Sequence, residues 1–221
     1  MSNRYGPRIV TDGLVLCLDA ADNNSYPGSG TAWTDLSGNG NHGTLTNGPT
    51  FSSANKGSIV FDGVDDYVVM GTASSVPIEG PGTLDIWGFY AAISSTYNLI
   101  SLSLATSAIQ IGILGGSGRV WKYGGATLLI YTTPTINTIA NWTLTFSGAN
   151  LSMYINGILN NSTTTAANQT GSSPTIRLGT YNAGGSQPLN GRIYSTRIYN
   201  RILSSSEISQ NYNATKGRFG L

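Results

Sequence analysis

Asn141-Trp142-Thr143-Leu144-Thr145-Phe146-Ser147-Gly148-Ala149-Asn150-Leu151-Ser152-Met153-Tyr154-Ile155-Asn156-Gly157 is the stretch that decides the fold. Trp142, Leu144 and Phe146 alternate with Thr143 and Thr145, the period of a strand that turns one face to a core. Ser147–Asn150 sits where a hairpin turn belongs, and Leu151–Ile155 returns as a second strand. Asn156-Gly157 then predicts a tight hairpin into Ile158–Asn161, because both residues tolerate positive φ. This stretch alone predicts three antiparallel strands.

The same rhythm extends in both directions. Turn-forming residues punctuate short runs rich in Val, Ile, Leu, Thr, Tyr and Phe. Strands are predicted at Leu14–Asp19, Ser58–Asp62, Tyr67–Gly71, Thr83–Tyr90, Asn98–Leu104, Ala108–Leu114, Val120–Tyr123, Thr127–Thr132, Thr175–Thr180 and Arg192–Tyr199. Many short strands with regular turns indicate an all-β sandwich or barrel. One helix is expected near the end. Ser204 and Glu207 have capping-box spacing, with Leu203 and Ile208 as the hydrophobic staple and Tyr212 one turn beyond Ile208.

Charge is scarce: 21 of 221 residues are Asp, Glu, Lys or Arg, and the net charge is +1, whereas about a quarter of residues are charged in typical chains. No basic footprint for nucleic acid follows from such a chain. The 12 Tyr, 5 Phe and 4 Trp argue against disorder. Ile86–Gly118 carries no charge, but polar residues interrupt it and Ile109, Ile111 and Ile113 alternate, so it reads as strands rather than a membrane span. Met1–Asp12 has no apolar segment of a signal peptide, so synthesis in the cytoplasm without secretion is expected. On that reading the sequons at Asn141, Asn150, Asn161 and Asn168 follow from composition alone. A lone cysteine, Cys17, reads as a small buried strand residue.

Several segments, taken in order, resemble the laminin-G-like branch of the concanavalin A-like lectin/glucanase superfamily. They are Gly13–Ala20, Trp33–Gly43, Val60–Val68, Leu151–Gly157, Leu189–Ile193 and Ile198–Leu203, followed by Glu207-Ile208. The resemblance implies an antiparallel two-sheet jelly-roll β-sandwich over residues 13–213, with one short C-terminal helix. It leaves an N-terminal arm, 1–12, and a C-terminal tail, 214–221. The N-terminal block also resembles proteins of tailed-phage particles. The resemblance therefore implies a location in the virion and a structural or capsid-decoration role. The expected partners are other virion proteins or a second copy, in a homo-oligomer, with a cell-surface glycan as a further ligand. A carbohydrate- or receptor-binding module of a phage tail or fibre is the alternative; a glycan-cleaving enzyme is disfavoured.

The carboxylates support that last point. Nine of the ten lie at or before Asp85, and the 121 residues from Ile86 to Ser206 contain none. Cleavage of a glycosidic bond needs two carboxyl groups about 5–10 Å apart. Asp85 is the nearest strand acid and has no partner two positions away. His42 and Asp35 lie in a Gly/Asn loop without a nucleophile elbow. No catalytic residue is expected.

No cofactor is expected either. Asp35 and Asn39 have the spacing of the start of a calcium loop, but Thr46 stands where its last acid would be. Asp62 and Asp65, beside Asp66, form a second weak calcium candidate; turn-stabilising hydrogen bonds explain both groups. For a glycan, Trp121 and Tyr123 are the preferred platforms, flanked by Gly-rich segments, with Trp87 and Tyr97 also available. Arg4, Tyr5 and Arg8 on one arm, and Arg218 and Phe219 on the other tail, mix cations with aromatics as interface anchors do, and are expected to dock on a partner.

Overall fold

The computed structural model describes residues 7–70, 80–103, 108–122, 127–148, 150–164 and 175–221. In chain order the strands are β1 (Leu14–Asp19), β2 (Ala32–Trp33), β3 (Gly43–Thr46), β4 (Thr50–Ser52), β5 (Ser58–Asp62), β6 (Tyr67–Met70), β7 (Gly82–Tyr90) and β8 (Tyr97–Ser103). They continue with β9 (Ala108–Leu114), β10 (Ser117–Lys122), β11 (Thr127–Tyr131), β12 (Ile139–Ser147), β13 (Asn150–Ile155), β14 (Ile158–Thr164), β15 (Thr175–Leu178) and β16 (Asn190–Tyr199). The helix α1 spans Ser205–Lys216. One sheet has the order β14-β13-β12-β7-β16-β5-β4, with β1 also paired to β16; the other has the order β11-β10-β9-β8-β15-β6-β3-β2. Every pairing is antiparallel.

The deciding stretch folds as its pattern dictates. Trp142, Leu144 and Phe146 are buried in the core between the sheets, together with Leu151 and Met153 of the next strand. Asn156 and Gly157 both have positive φ, 52° and 78°, the turn that Asn-Gly supports. Opposite them, β8, β9 and β10 send Ile100, Leu102, Ile109, Ile111, Ile113 and Val120 into the same core.

Three strands, β2 to β4, went unpredicted. They are two to four residues long and lie in a Gly/Asn-rich block, where Gly43 packs close to Val68. That block still carries core: Trp33 is fully buried, edge-on to Tyr26 at 6.4 Å.

The helix begins at the predicted cap. Ser204 accepts from the Glu207 amide and the Glu207 side chain accepts from the Ser204 amide. Leu203 and Ile208 are buried with Val10 and Tyr199. Arg201 completes the corner with a two-pronged contact to Glu207 at 2.6 and 3.0 Å. The Arg201 hydrogen bond and the Ser204 amide hold the Glu207 carboxyl at about 2, below its ordinary 4.5. A folded value below the unfolded one stabilises the fold above about pH 4.5, and that stabilisation is lost as pH falls towards 2. Thermal melts across this window are therefore expected to fall more steeply for the wild type than for Glu207→Gln.

The helix and the residues after it do not form a free tail. They cover the outer face of the first sheet. Trp87 stacks on Tyr212 at 5.5 Å and on Phe219 at 4.6 Å, and Phe219 meets Tyr194 edge-on at 5.0 Å. Arg218 pairs with Asp19 at 2.7 Å and donates to the carbonyls of Asn55 and Gly57. Beneath this cover lies a buried polar layer. Arg197 pairs with Asp85 at 3.0 Å and donates to the Thr215 hydroxyl at 3.1 Å; Asn141 and Thr143 donate to the other Asp85 oxygen. Burial opposes the Arg197 charge, and Asp85 together with Cys17, Tyr199 and Asp19 outweighs it, so the guanidinium pKa is raised. Burial likewise pushes the neighbouring Cys17 thiol up.

Candidate functional site

The second sheet has the contrasting outer face. Because Ile100, Ile111, Val120 and Ile176 point into the core, alternation places their neighbours on the other side. The registers align Val69, Arg177, Ser101, Gln110 and Trp121 in one row across β6, β15, β8, β9 and β10. Four strand spacings make that row about 19 Å long. Asn98 and Arg119 flank the row on either side of Gly112. Gly112 cannot carry a side chain, since a Cβ would lie 2.0 Å from the Tyr97 carbonyl oxygen.

The polar groups of this face are only partly paired. Asn98 Nδ2 donates to Gln110 Oε1 at 3.1 Å and to Gln187 Oε1 at 2.6 Å, and Arg119 Nη1 donates to the Thr127 hydroxyl at 2.9 Å. Four buried atoms have no partner among the described residues: Asn98 Oδ1, Ser101 Oγ, Arg119 Nε and Arg177 Nε. Burial lowers the Arg177 pKa, with the phenols of Tyr67 and Tyr181 acting against it. Each unpaired buried polar atom costs about 1–3 kcal/mol; Asn98, Ser101 and Gln110 are 0–2% exposed, so the half-buried side chains of Arg119 and Arg177 are the charged groups of this face that a ligand can meet. Among the described residues neither row contains a carboxylate.

The expected sugar platforms separate. Trp121 stands in the row but is 1% exposed, so its ring offers no stacking face. Tyr97 is half-buried against the core, and Tyr123 lies outside the described residues. Trp87 belongs to the other sheet and is fully buried beneath Tyr212 and Phe219, which removes it from any sugar. Ser101, Gln110, Arg177, Asn98 and Arg119, which the register brings together on this face, are not among the sugar platforms expected from the sequence. A signal existed for two of them: Gln110 interrupts Ile109-Gln110-Ile111, and Arg177 lies between Ile176 and Leu178.

The docking arms fare similarly. Arg4 and Tyr5 lie outside the described residues. The Arg8 side chain is exposed, and its carbonyl accepts from Gln210 at 2.7 Å. Arg218 and Phe219 are anchors, but of the chain to itself, for the reason given above.

Of the calcium candidates, Asp35 is 6% exposed and both its oxygens are engaged. Oδ1 accepts from the amides of Cys17 (2.8 Å) and Ser37 (2.9 Å), and Oδ2 from the Ser37 hydroxyl (2.8 Å) and the Asn41 amide (3.0 Å). Asn39 donates to the Leu14 carbonyl at 3.3 Å. Asp35 thus ties a loop to β1. Asp62, Asp65 and Asp66 do converge, with oxygens within 4.8 Å of one another. Asp66 accepts from the Asp62 amide at 3.0 Å, and Asp62 from the Val64 amide at 2.8 Å, which is turn chemistry. Burial, followed by its two acidic neighbours, raises the Asp66 pKa against the pull of the Asp62 amide. Asp85, the nearest strand acid, is sealed against Arg197, Asn141 and Thr143.

A two-sheet antiparallel sandwich with a capped C-terminal helix defines a lectin-like class of domain. Residues 62–209, more than half of the chain, match the laminin G family of the concanavalin A-like lectin/glucanases superfamily, and the chain belongs to that family. Among solved structures it resembles domain 4 of AbnA, a GH43 extracellular arabinanase from Geobacillus stearothermophilus, in complex with arabinotriose. There the TM-score is 0.73 and the identity 17%, over 90% of this chain and 98% of that one. It also resembles Trypanosoma rangeli sialidase (TM-score 0.71, 15% identity, 93% of this chain), but spans only 33% of the sialidase chain. The receptor binding domain of botulinum neurotoxin C/D mosaic serotype is similar too (TM-score 0.71, 16% identity, 92% of this chain and 51% of that one). At these identities the likeness is one of fold. No curated protein matches the sequence significantly. Among the described residues no helix is long and apolar enough to cross a membrane.

Proposed function

We propose that the protein is a non-catalytic carbohydrate-binding β-sandwich that takes an oligosaccharide along the outer face of its second sheet. The observation that carries this reading is the pair of half-buried arginines on this face, Arg177 in the row and Arg119 beside it, set among the buried polar side chains Ser101, Gln110 and Asn98. Sugar hydroxyls accept as well as donate, so they match a face whose part-exposed polar groups are two donor-only guanidinium groups. The row's length suits an oligosaccharide rather than a single sugar. The arabinotriose complex of a domain with the same fold supports the ligand class. The sealed position of Asp85 supports the absence of cleavage. Affinity electrophoresis against soluble polysaccharides is expected to show binding weakened about tenfold or more in Arg177→Ala and Arg119→Ala. Asp22→Asn, beside the helix on the other sheet, is expected to bind as the wild type does. Unchanged binding in both site variants would overturn the assignment.

A second reading, docking on a partner protein or a second copy as in a virion role, is favoured by edge strand β14. It exposes Ile158 (73%) and Leu159 (53%), and an exposed apolar edge invites pairing. Sedimentation distinguishes the two: a concentration-dependent oligomer abolished by Leu159→Lys supports docking, whereas a monomer at all concentrations argues against it.

A further inference from the structure

Most arginines among the described residues have their charge answered within the chain or by water. Arg197, Arg201 and Arg218 pair with carboxylates, Arg192 lies over the Phe89 ring at 5.6 Å, and Arg8 is exposed. Arg119 and Arg177 differ. Both are half-buried on the outer face of the second sheet, and among the described residues neither meets a carboxylate or the face of an aromatic ring. Burial lowers the Arg177 pKa, and the groups that act against it are the phenols of Tyr67 and Tyr181, not an acid. A partly desolvated cation without a counter-charge is costly, and an anion arriving on this face would offset that cost.

The two cations do not converge on one point. β15 and β10 are three strand spacings apart, and Arg119 lies two residues from the row, so the two Cα positions are separated by about 16 Å. Arg119 Nη1 donates to the Thr127 hydroxyl at 2.9 Å, and Thr127 stands on β11, the strand beyond β10. That bond draws the Arg119 guanidinium away from Arg177. Two separate acidic groups are needed to answer both charges. A guanidinium presents its N–H groups as a planar fork, which matches the two coplanar oxygens of a carboxylate.

We propose that the oligosaccharide taken by this face is acidic, a run of uronic acid units in which one carboxylate meets Arg177 and another, further along the chain, meets Arg119. The inference rests on the glycan-binding reading above and names the ligand class of the same face. A neutral chain would leave both charges unanswered, and a chain ending in a single acidic sugar would answer only one.

The test is affinity electrophoresis of the intact chain in gels containing polygalacturonate or alginate, each beside its carboxyl-reduced counterpart, with dextran sulfate as a sulfated control. At least one uronate polymer is expected to retard the protein about tenfold more strongly than its reduced counterpart does, and more strongly than dextran sulfate. That retardation is expected to weaken between about 0.01 and 0.1 M salt, as the screening length falls from about 30 to 10 Å. Arg177→Gln and Arg119→Gln keep a hydrogen-bonding amide and remove the charge; each is expected to lose the preference for the uronate polymer. Arg192→Gln removes the same charge from the other sheet and is expected to behave as the wild type. Equal retardation by the reduced polymers would overturn the acidic assignment and leave glycan binding at this face standing. Stronger retardation by dextran sulfate, or an equal loss in Arg192→Gln, would overturn it in favour of diffuse attraction to polyanions. No retardation by any polysaccharide, neutral ones included, would remove both readings.

Discussion

Asp85→Ala is expected to destabilise the protein by about 3–5 kcal/mol, because it leaves the Arg197 charge buried and uncompensated. The side chains of Asp85 and Arg197 are 1% and 5% exposed, so water cannot take over the solvation. Asn141 and Thr143 each lose one of two acceptors in the same step. For a domain of this size the loss corresponds to a fall of about 6–20 °C in melting temperature. The cost belongs to the broken pair rather than to the pair's net worth. Asp85→Leu combined with Arg197→Met is therefore expected to recover most of it. Calorimetric melts of the single and double variants check both statements; a single variant that melts with the wild type would mean that Arg197 is solvated.

Removal of residues 217–221 is the second large effect. Phe219 stacks on Trp87 and meets Tyr194, while Arg218 joins Asp19 and two carbonyls. Phe219 is half-buried, so its loss costs about 1–3 kcal/mol, below the value for a fully enclosed Phe, and the Arg218 contacts add to it. Trp87 then gains solvent on one side, so the truncated chain should show red-shifted tryptophan emission together with its lower melting temperature. Unchanged emission and stability would indicate that these residues are a free tail after all.

These two expectations mark where sequence reasoning succeeded and where it stopped. Trp142-Thr143-Leu144-Thr145-Phe146 and Asn156-Gly157 are governed by neighbours in the chain, through alternation and turn geometry, so their structure was legible. The same holds for Ser204 and Glu207, three residues apart. The sequence presents Phe219 as an interface anchor, and the side chain packs on Trp87, far away in the same chain. No local pattern reports which surface a terminal aromatic meets. Ala32–Trp33 and Gly43–Thr46 are too short for periodicity to register. At the candidate site, Trp121 was found by residue type, whereas Ser101, Gln110 and Arg177 become neighbours only through the order β15-β8-β9-β10. That order is not the order of the chain: β15 lies beside β8 although six strands separate them in sequence.

The central claim is that the outer face of the second sheet recognises a glycan, and a glycan array probed with the intact chain tests it most directly. The account predicts retention of a restricted set of oligosaccharides, with the signal lost in Arg177→Ala. An array with no signal above background, or one on which Arg177→Ala is retained as the wild type is, would contradict it.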